Sequence, residues 1–233
     1  MTVRRRAVTV VAAASLLLAG CASKTVTFTP AEGRALSGGS QPAARAGTCV
    51  YSPGDPSATG KDVGTPPASP KTGPATMRIA TNLGTIEIAL DGAKAPCATG
   101  SFAFLAGKHY FDGSKCHRLT TEGIWVLQCG DPAGTGAGGP GYQFADENLG
   151  APYKRGTVAM ANAGPGTNGS QFFFNYKDNA QIPASYTMLG TVTKGMEIVD
   201  RVAAGGIGVE DPGAGGGKPK TEITLQTVTV SYQ

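Results

Sequence analysis

From residue 76 onward the chain alternates. MRIATNLGTIEIAL places apolar side chains at Met77 and Ile79, then at Ile86, Ile88 and Leu90, the period-two pattern of strands with one buried face. Asn82-Leu83-Gly84 lies between the two runs and supplies a turn, so the segment predicts a hairpin. The period then changes. In APCATGSFAFLAG, Pro96 suits a first helical turn, Phe102 and Leu105 share a face, and Gly107 ends the run. Strand patterns resume in KCHRLT, IWVLQC, TVAMA, SQFFF and YTMLGTV. GMEIVDRVAAG is a second helix, with Met196, Val199 and Val202 on one stripe. In the last run, ITLQTVTVSY, apolar parity shifts from Ile223/Leu225 to Val228/Val230, which predicts a bulge. The sum is eight strands and two helices. The expected fold is mainly β, a closed eight-stranded antiparallel barrel capped by two α-helices and filled by its own side chains.

The first third of the chain has a different texture. Arg4-Arg5-Arg6 precedes an apolar run over residues 7–18, too short to span a bilayer, and the run ends in Leu18-Ala19-Gly20-Cys21. Residues 1–20 therefore read as a signal peptide, cleaved before a Cys21 that becomes lipidated. Residues 21–75 hold eight of the 16 prolines together with many Gly, Ala, Ser and Thr, too little apolar surface to fold alone. They read as a tether, with one ordered island at 48–51 if Cys49 pairs with the domain at 76–233. The expected location is extracytoplasmic, held to the cell membrane by the lipid on Cys21. Four cysteines remain beyond it, Cys49, Cys97, Cys116 and Cys129. An even number outside the cytoplasm predicts two disulfides. Three of the 20 basic residues fall in the signal segment, so the remaining chain is nearly neutral against its 16 acids. A nucleic-acid partner is excluded on that balance.

The stretch KCHRLTTEGIWVLQCGD, residues 115–131, concentrates the chemistry. It offers a metal site or a Cys/His nucleophile. Cys116 and His117 are adjacent, and adjacent strand residues point to opposite faces, so they cannot share one ion or pair as nucleophile and base. No metal is expected. GTGAGG at residues 134–139 matches a dinucleotide fingerprint, but Pro140-Gly141-Tyr142 follows where a helix is needed. GAGGGKP near Lys218 fails as a phosphate loop, with Pro219 where Ser or Thr belongs. Arg118 is left, mid-strand among apolar neighbours.

A second stretch, MANAGPGTNGSQFFF at 160–174, decides between readings. Together with CHRL, VLQCGD and the GTGAGG loop it resembles the cyclophilin family of peptidyl-prolyl cis-trans isomerases, from about Thr76 to the C-terminus. The resemblance implies the same eight-stranded, two-helix barrel. It also implies isomerisation of X–Pro bonds in proline-containing polypeptides, without a cofactor, by a monomer. It places Arg118 on the catalytic arginine, with His117 before it. Trp125 and Val126 fall on pocket apolar positions and Gln128 on the site glutamine. Ala161, Asn162 and Gln171 match the peptide-binding strand and loop, Phe173 the pocket floor, and Gly136 the loop glycine. Ile182 is the expected apolar wall, with Tyr186 and Leu189 where the family commonly has His and Phe. The turn at 120–123 is longer than usual, and Cys116 replaces an aromatic residue. No tryptophan is available near Ile182, which implies weakened cyclosporin A binding.

If Arg118 and Gln128 face one groove, strand parity puts Cys116 on the same side and Cys129 on the other. A Cys116–Cys129 bond is then disfavoured. Two pairings stay open: Cys97–Cys116 with Cys49–Cys129, which is preferred, or Cys49–Cys116 with Cys97–Cys129. A reading from another class stays open too. The substituted positions Ile182, Tyr186 and Leu189 would suit a membrane-tethered peptide-binding scaffold with this fold and little catalysis. A thiol–disulfide oxidoreductase is a third reading, disfavoured because no CxxC is present.

Overall fold

The computed structural model describes residues 47–55, 60–211, 213 and 215–233. The expected signal peptide, the expected lipidation site Cys21 and the tether up to residue 46 lie outside the described residues. In chain order the elements are β1 (Tyr51–Pro53), β2 (Ala75–Thr81), β3 (Gly84–Leu90), α1 (Pro96–Gly107), β4 (Ser114–Lys115), β5 (Arg118–Leu119), β6 (Val126–Cys129) and β7 (Tyr142–Phe144). They continue with β8 (Thr157–Met160), β9 (Phe172–Asn175), β10 (Met188–Lys194), α2 (Met196–Ala204), β11 (Ile207–Asp211), β12 (Gly216–Pro219) and β13 (Thr224–Tyr232).

The alternating segments form the strands their period dictates. β2 and β3 pair residue for residue from Ala75↔Leu90 to Thr81↔Gly84. Thr81 closes the turn, its hydroxyl donating to Gly84 O at 2.6 Å and accepting from Leu83 N at 3.1 Å. β13 lies on β2, with a register shift between Leu225 and Thr227 where the apolar parity changes. Both helices occupy their expected residues, Pro96 opening α1 and Gly195 preceding α2 at φ 85°. A side chain on Gly195 would be strained at that angle, and its Cβ would lie 2.4 Å from Thr85 O.

The closed eight-stranded barrel is corrected. Eleven strands form one ladder in the order β11-β12-β5-β6-β9-β8-β10-β3-β2-β13-β4, and a two-stranded pair β1-β7 lies apart from it. Among the described residues the ladder of named strands has two ends, β11 and β4. It curls far enough that β4, at one end, and β5, third from the other, are separated by only Cys116 and His117. The expected strand KCHRLT is broken at those two residues, where the backbone changes partner: Cys116 N donates to Ile223 O at 3.1 Å and His117 N to Gln128 O at 3.0 Å.

The core is aromatic at one end and aliphatic at the other. Phe102, Phe111, Phe172 and Phe174 stack or meet edge to face with centroids 5.3 to 6.3 Å apart. Met77, Ile79, Ile86 and Ile88 from the first hairpin are fully buried in the same cluster. Each such side chain contributes about 1.5–3 kcal/mol relative to exposure. β9 is buried on both faces: Phe172 and Phe174 enter this core, whereas Phe173 enters a second cluster with Val126, Tyr153, Ala159 and Met188. The second cluster underlies the candidate site.

The described part of the Pro-rich segment lies against the domain. Cys49 is buried and bonded to Cys97 of α1. β1 pairs antiparallel with β7, and Tyr51 packs edge-on to Tyr142 and Phe144. Pro70 rests on Gly100 so closely that an added Cβ would sit 2.4 Å from it. Pro74 O accepts from Gln233 N at 3.1 Å, beside the end of β13.

Both open disulfide pairings are corrected. The bonds are Cys49–Cys97 and Cys116–Cys129. Strand parity fails between Cys116 and Leu119, because the backbone passes from one partner to another at Cys116–His117, Cys116 N bonding Ile223 O and His117 N bonding Gln128 O. That slip turns Cys116 inward, into one buried cluster with Leu119, Leu127 and Cys129, while Arg118 keeps the outer face.

Candidate active site

β5, β6 and β9 lie side by side, and their outer faces build the site. Arg118 is register-paired with Gln128, and Gln128 with Phe173. Inward residues Leu119, Leu127 and Cys129 anchor the same strands in the core, which fixes where the outward side chains stand. Arg118, Val126, Gln128, Ala161, Asn162, Phe173, Ile182 and Tyr186 all line one groove of about 240 Å³. Eight residues named from the sequence are thus brought together.

Ile124, Gln181 and Pro183 also line it. Ile124 was detectable, because it stands two residues before Val126 on the same parity. Tyr153 supports the wall from behind: its hydroxyl donates to Tyr186 O at 2.9 Å and accepts from Tyr186 N at 2.8 Å. The Tyr186 ring meets Phe173 edge-on at 5.7 Å. Neither Gln181 nor Tyr153 carried a sequence signal, since both act from irregular segments.

Two expected pocket residues stand elsewhere. Trp125 alternates away from the groove. Its amide donates to Asn179 Oδ1 at 2.7 Å, its carbonyl accepts from Asn179 Nδ2 at 3.1 Å, and Lys177 Nζ lies 5.2 Å from its ring. Ile124, just past the long turn at 120–123, lines the groove, while Trp125 packs against the main core. The turn is clamped by Thr120, whose hydroxyl donates to Ile124 O at 2.7 Å and accepts from Val126 N at 3.0 Å. Leu189 is fully buried in the main core, and its neighbour Met188 lies beneath the groove.

A chain of hydrogen bonds orders the polar edge. Arg118 Nη1 donates to Gln128 Oε1 at 3.2 Å, and Gln128 Nε2 donates to Gln171 Oε1 at 2.8 Å. Gln171 Nε2 donates in turn to Gly136 O and Gly138 O, both at 2.9 Å. The glycine loop at 134–139 is wound around Asp131, whose carboxylate accepts from the amides of Ala133, Thr135, Gly136 and Gly138. Burial alone would raise the pKa of Asp131, but these amides outweigh it and hold the carboxyl below its ordinary value. Asn162 is tied on both sides, its Nδ2 donating to Asp146 Oδ1 at 3.4 Å and its Oδ1 accepting from Gly164 N at 3.3 Å.

Arg118 also donates to Gly215 O at 3.4 Å. Burial lowers its pKa from a value so high that the guanidinium stays charged at any working pH. His117 does not face the groove. It is buried under the glycine loop, its ring 3.6 Å from where a Cβ on Gly136 would lie. Neither ring nitrogen has a hydrogen-bond partner. Burial pushes its pKa below the ordinary imidazole value, with Asp131 opposing.

The arrangement is a fixed cation at the lip of an apolar hollow. Comparison with known proteins agrees with it. Residues 76–230 match the model of the cyclophilin type peptidyl-prolyl cis-trans isomerase/CLD family. The chain belongs to this cyclophilin family. A probable peptidyl-prolyl cis-trans isomerase B of Mycobacterium leprae is 46% identical over 177 residues, covering 70% of this chain and 58% of the relative. The chain thus spans little more than half the length of that cyclophilin. A probable peptidyl-prolyl cis-trans isomerase A of the same organism is 35% identical over 179 residues, covering 67% of this chain and 92% of the relative. Among solved structures, a Cryptosporidium parvum cyclophilin matches at TM-score 0.60 and 30% identity, over 69% of this chain and 99% of its own. The same protein in the presence of the dipeptide Ala-Pro matches at TM-score 0.59.

Proposed function

We propose that the domain accelerates cis–trans rotation about X–Pro bonds in exported polypeptides. The observation that carries this reading is Arg118, fixed on Gln128 at 3.2 Å beside a groove floored by Phe173. An X–Pro bond faces a barrier of about 18–20 kcal/mol and turns over in roughly tens to hundreds of seconds unaided. The barrier is amide resonance. As the C–N bond twists, the prolyl nitrogen becomes pyramidal and gains a lone pair. A donor aimed at that nitrogen stabilises the twisted state more than the planar one, which is what catalysis requires. Arg118 supplies the donor. Val126, Phe173, Ile124 and Ile182 hold the ring and exclude water, which favours the less polar twisted amide. No bond to substrate forms or breaks. A roughly 10⁵-fold acceleration needs about 7 kcal/mol, within reach of one charged donor plus orientation and desolvation.

The peptide-binding scaffold without catalysis is distinguished by NMR exchange. An isomerase at catalytic concentration broadens and links the cis and trans signals of an X–Pro peptide. Binding with unchanged exchange between isomers would sink the catalytic reading.

The location belongs to the same proposal. Export and lipidation at Cys21 are supported by the short apolar run, by the small residues before Cys21 and by two disulfides in the described residues. Mass spectrometry of the mature protein tests it, through diacylglycerol on an N-terminal Cys21. The domain acts as a monomer in this reading, which is supported by the few large apolar side chains exposed among the described residues: Val50, Leu149 and Val209. Cyclosporin A should bind weakly, because Ile182 and Pro183 stand where no indole is offered.

A further inference from the structure

The hairpin that carries Arg118 is closed at its base by a covalent bond. Cys116, just ahead of β5, is bonded to Cys129, the last residue of β6, across a sequence separation of 13. The loop so closed holds Arg118, Ile124, Val126 and Gln128, all of which line the proline groove. Both cysteines are buried in the main core with Leu119 and Leu127, on the face of the hairpin turned away from the groove.

The two strands of this hairpin are held unequally. β6 is fixed on its far side by β9, in the register Val126↔Asn175 to Cys129↔Phe172. β5 is only two residues long. It pairs with β6 through Arg118↔Gln128 and Leu119↔Leu127. On its other side the register pair among the described residues is Gly217↔Leu119, with β12 of the largely exposed β11–β12 hairpin. Just ahead of Arg118 the backbone changes partner, Cys116 N donating to Ile223 O and His117 N to Gln128 O. A cysteine side chain is short and buries little apolar surface, so packing alone would hold this end of β5 weakly. The bond ties it to β6.

We propose that the Cys116–Cys129 bond is a positioning element of the isomerase, which keeps β5 in register on β6 and thereby keeps the Arg118 guanidinium at the lip of the groove. The inference rests on the isomerase reading. Arg118 acts on the twisted amide, whereas Val126, Phe173, Ile182 and Tyr186 hold the ring in its planar and twisted forms. Without the bond, β9 still holds β6 and the walls stay in place, while β5 gains freedom. The loss then falls on kcat and leaves KM alone, the mark of an interaction made only in the transition state. Misplacing a catalytic group by about 1 Å costs up to about 10²-fold, so a loosened β5 is expected to lose about tenfold.

The test measures kcat and KM separately on an X–Pro peptide for the full chain, for Cys116→Ala/Cys129→Ala and for the bulkier Cys116→Val/Cys129→Ala, with each fold checked by circular dichroism. Cys49→Ser/Cys97→Ser, which removes the other bond, is the control for loss of a disulfide as such. The expected result is a folded bond-free variant with kcat lowered about tenfold and KM within about twofold of native, and a control whose kcat is native. A folded bond-free variant with native kcat, or an equal fall in the folded control, would overturn the proposal. So would loss of the native spectrum in both bond-free variants, because the bond would then serve the whole fold and not one strand. Absence of turnover by the native chain would overturn the isomerase reading itself.

Discussion

Arg118 stands out in the sequence before any groove is seen around it. A charged side chain in the middle of an apolar strand pair needs a reason, and register with Gln128 supplies the geometry. Lysine at this position would keep the charge but lose the planar fork that donates to both Gln128 and Gly215. Arg118→Lys should therefore lose at least about tenfold in kcat/KM, a cost of about 1.4 kcal/mol, with an unchanged circular dichroism spectrum. His117 has the opposite character. The sequence marked it as substrate-binding, but it is buried without a hydrogen-bond partner and its pKa is depressed. The folded state holds it neutral, and the unfolded state takes up the proton first as pH falls. Its contribution to stability is full above the unfolded pKa of about 6.5 and is lost as pH drops from there toward the lower folded value. Urea unfolding at pH 7.5 and 5.5 should show this loss in the native protein, and a smaller one in His117→Gln. An equal loss in both would assign the effect elsewhere.

At the level of elements, the period of the sequence was informative wherever the backbone stayed regular. The first hairpin, α2 and the bulge of β13 were legible because each keeps one face in the core; α1, buried round most of its circumference, was legible from Pro96 and Gly107 at its ends. Legibility ended where regularity did. The two-residue break at Cys116–His117 inverts parity, and that slip misdirected the disulfide assignment and hid the open ladder. The hairpin β11–β12 is largely exposed and glycine-rich, so no buried face announced it. The described part of the Pro-rich segment was obscured by composition: its prolines suggested a free tether, yet Cys49, Tyr51 and Pro70 each dock on the domain. Two outcomes follow. Non-reducing peptide mapping should recover Cys49–Cys97 and Cys116–Cys129, and the 48-residue separation of the first implies that replacing both its cysteines by serine costs up to about 4 kcal/mol. The loop around Asp131 should depend on that one carboxylate. Asp131→Ala removes the acceptor of four amides and should cost about 2–4 kcal/mol in denaturant unfolding, with lowered activity through the Gln171–Gln128–Arg118 chain.

For the whole molecule, the curled sheet serves to hold two clusters apart. The main core stabilises the fold, and the smaller one beneath Val126, Phe173 and Met188 shapes the groove. Leu189 and Trp125 went to the main core side because single-residue parity decides between the clusters, and a motif match does not resolve one residue across a turn of unusual length. The central claim is that a non-covalent, metal-free donor at the lip of this groove lowers the barrier to prolyl rotation. The most direct measurement is the isomerisation rate of an X–Pro peptide with the full chain and with Arg118→Ala, the variant's fold being checked by its spectrum and its unfolding midpoint. The account predicts a folded variant with turnover reduced by about 10²-fold or more, a loss of about 3 kcal/mol of transition-state stabilisation. A folded variant with turnover near that of the native protein would contradict it.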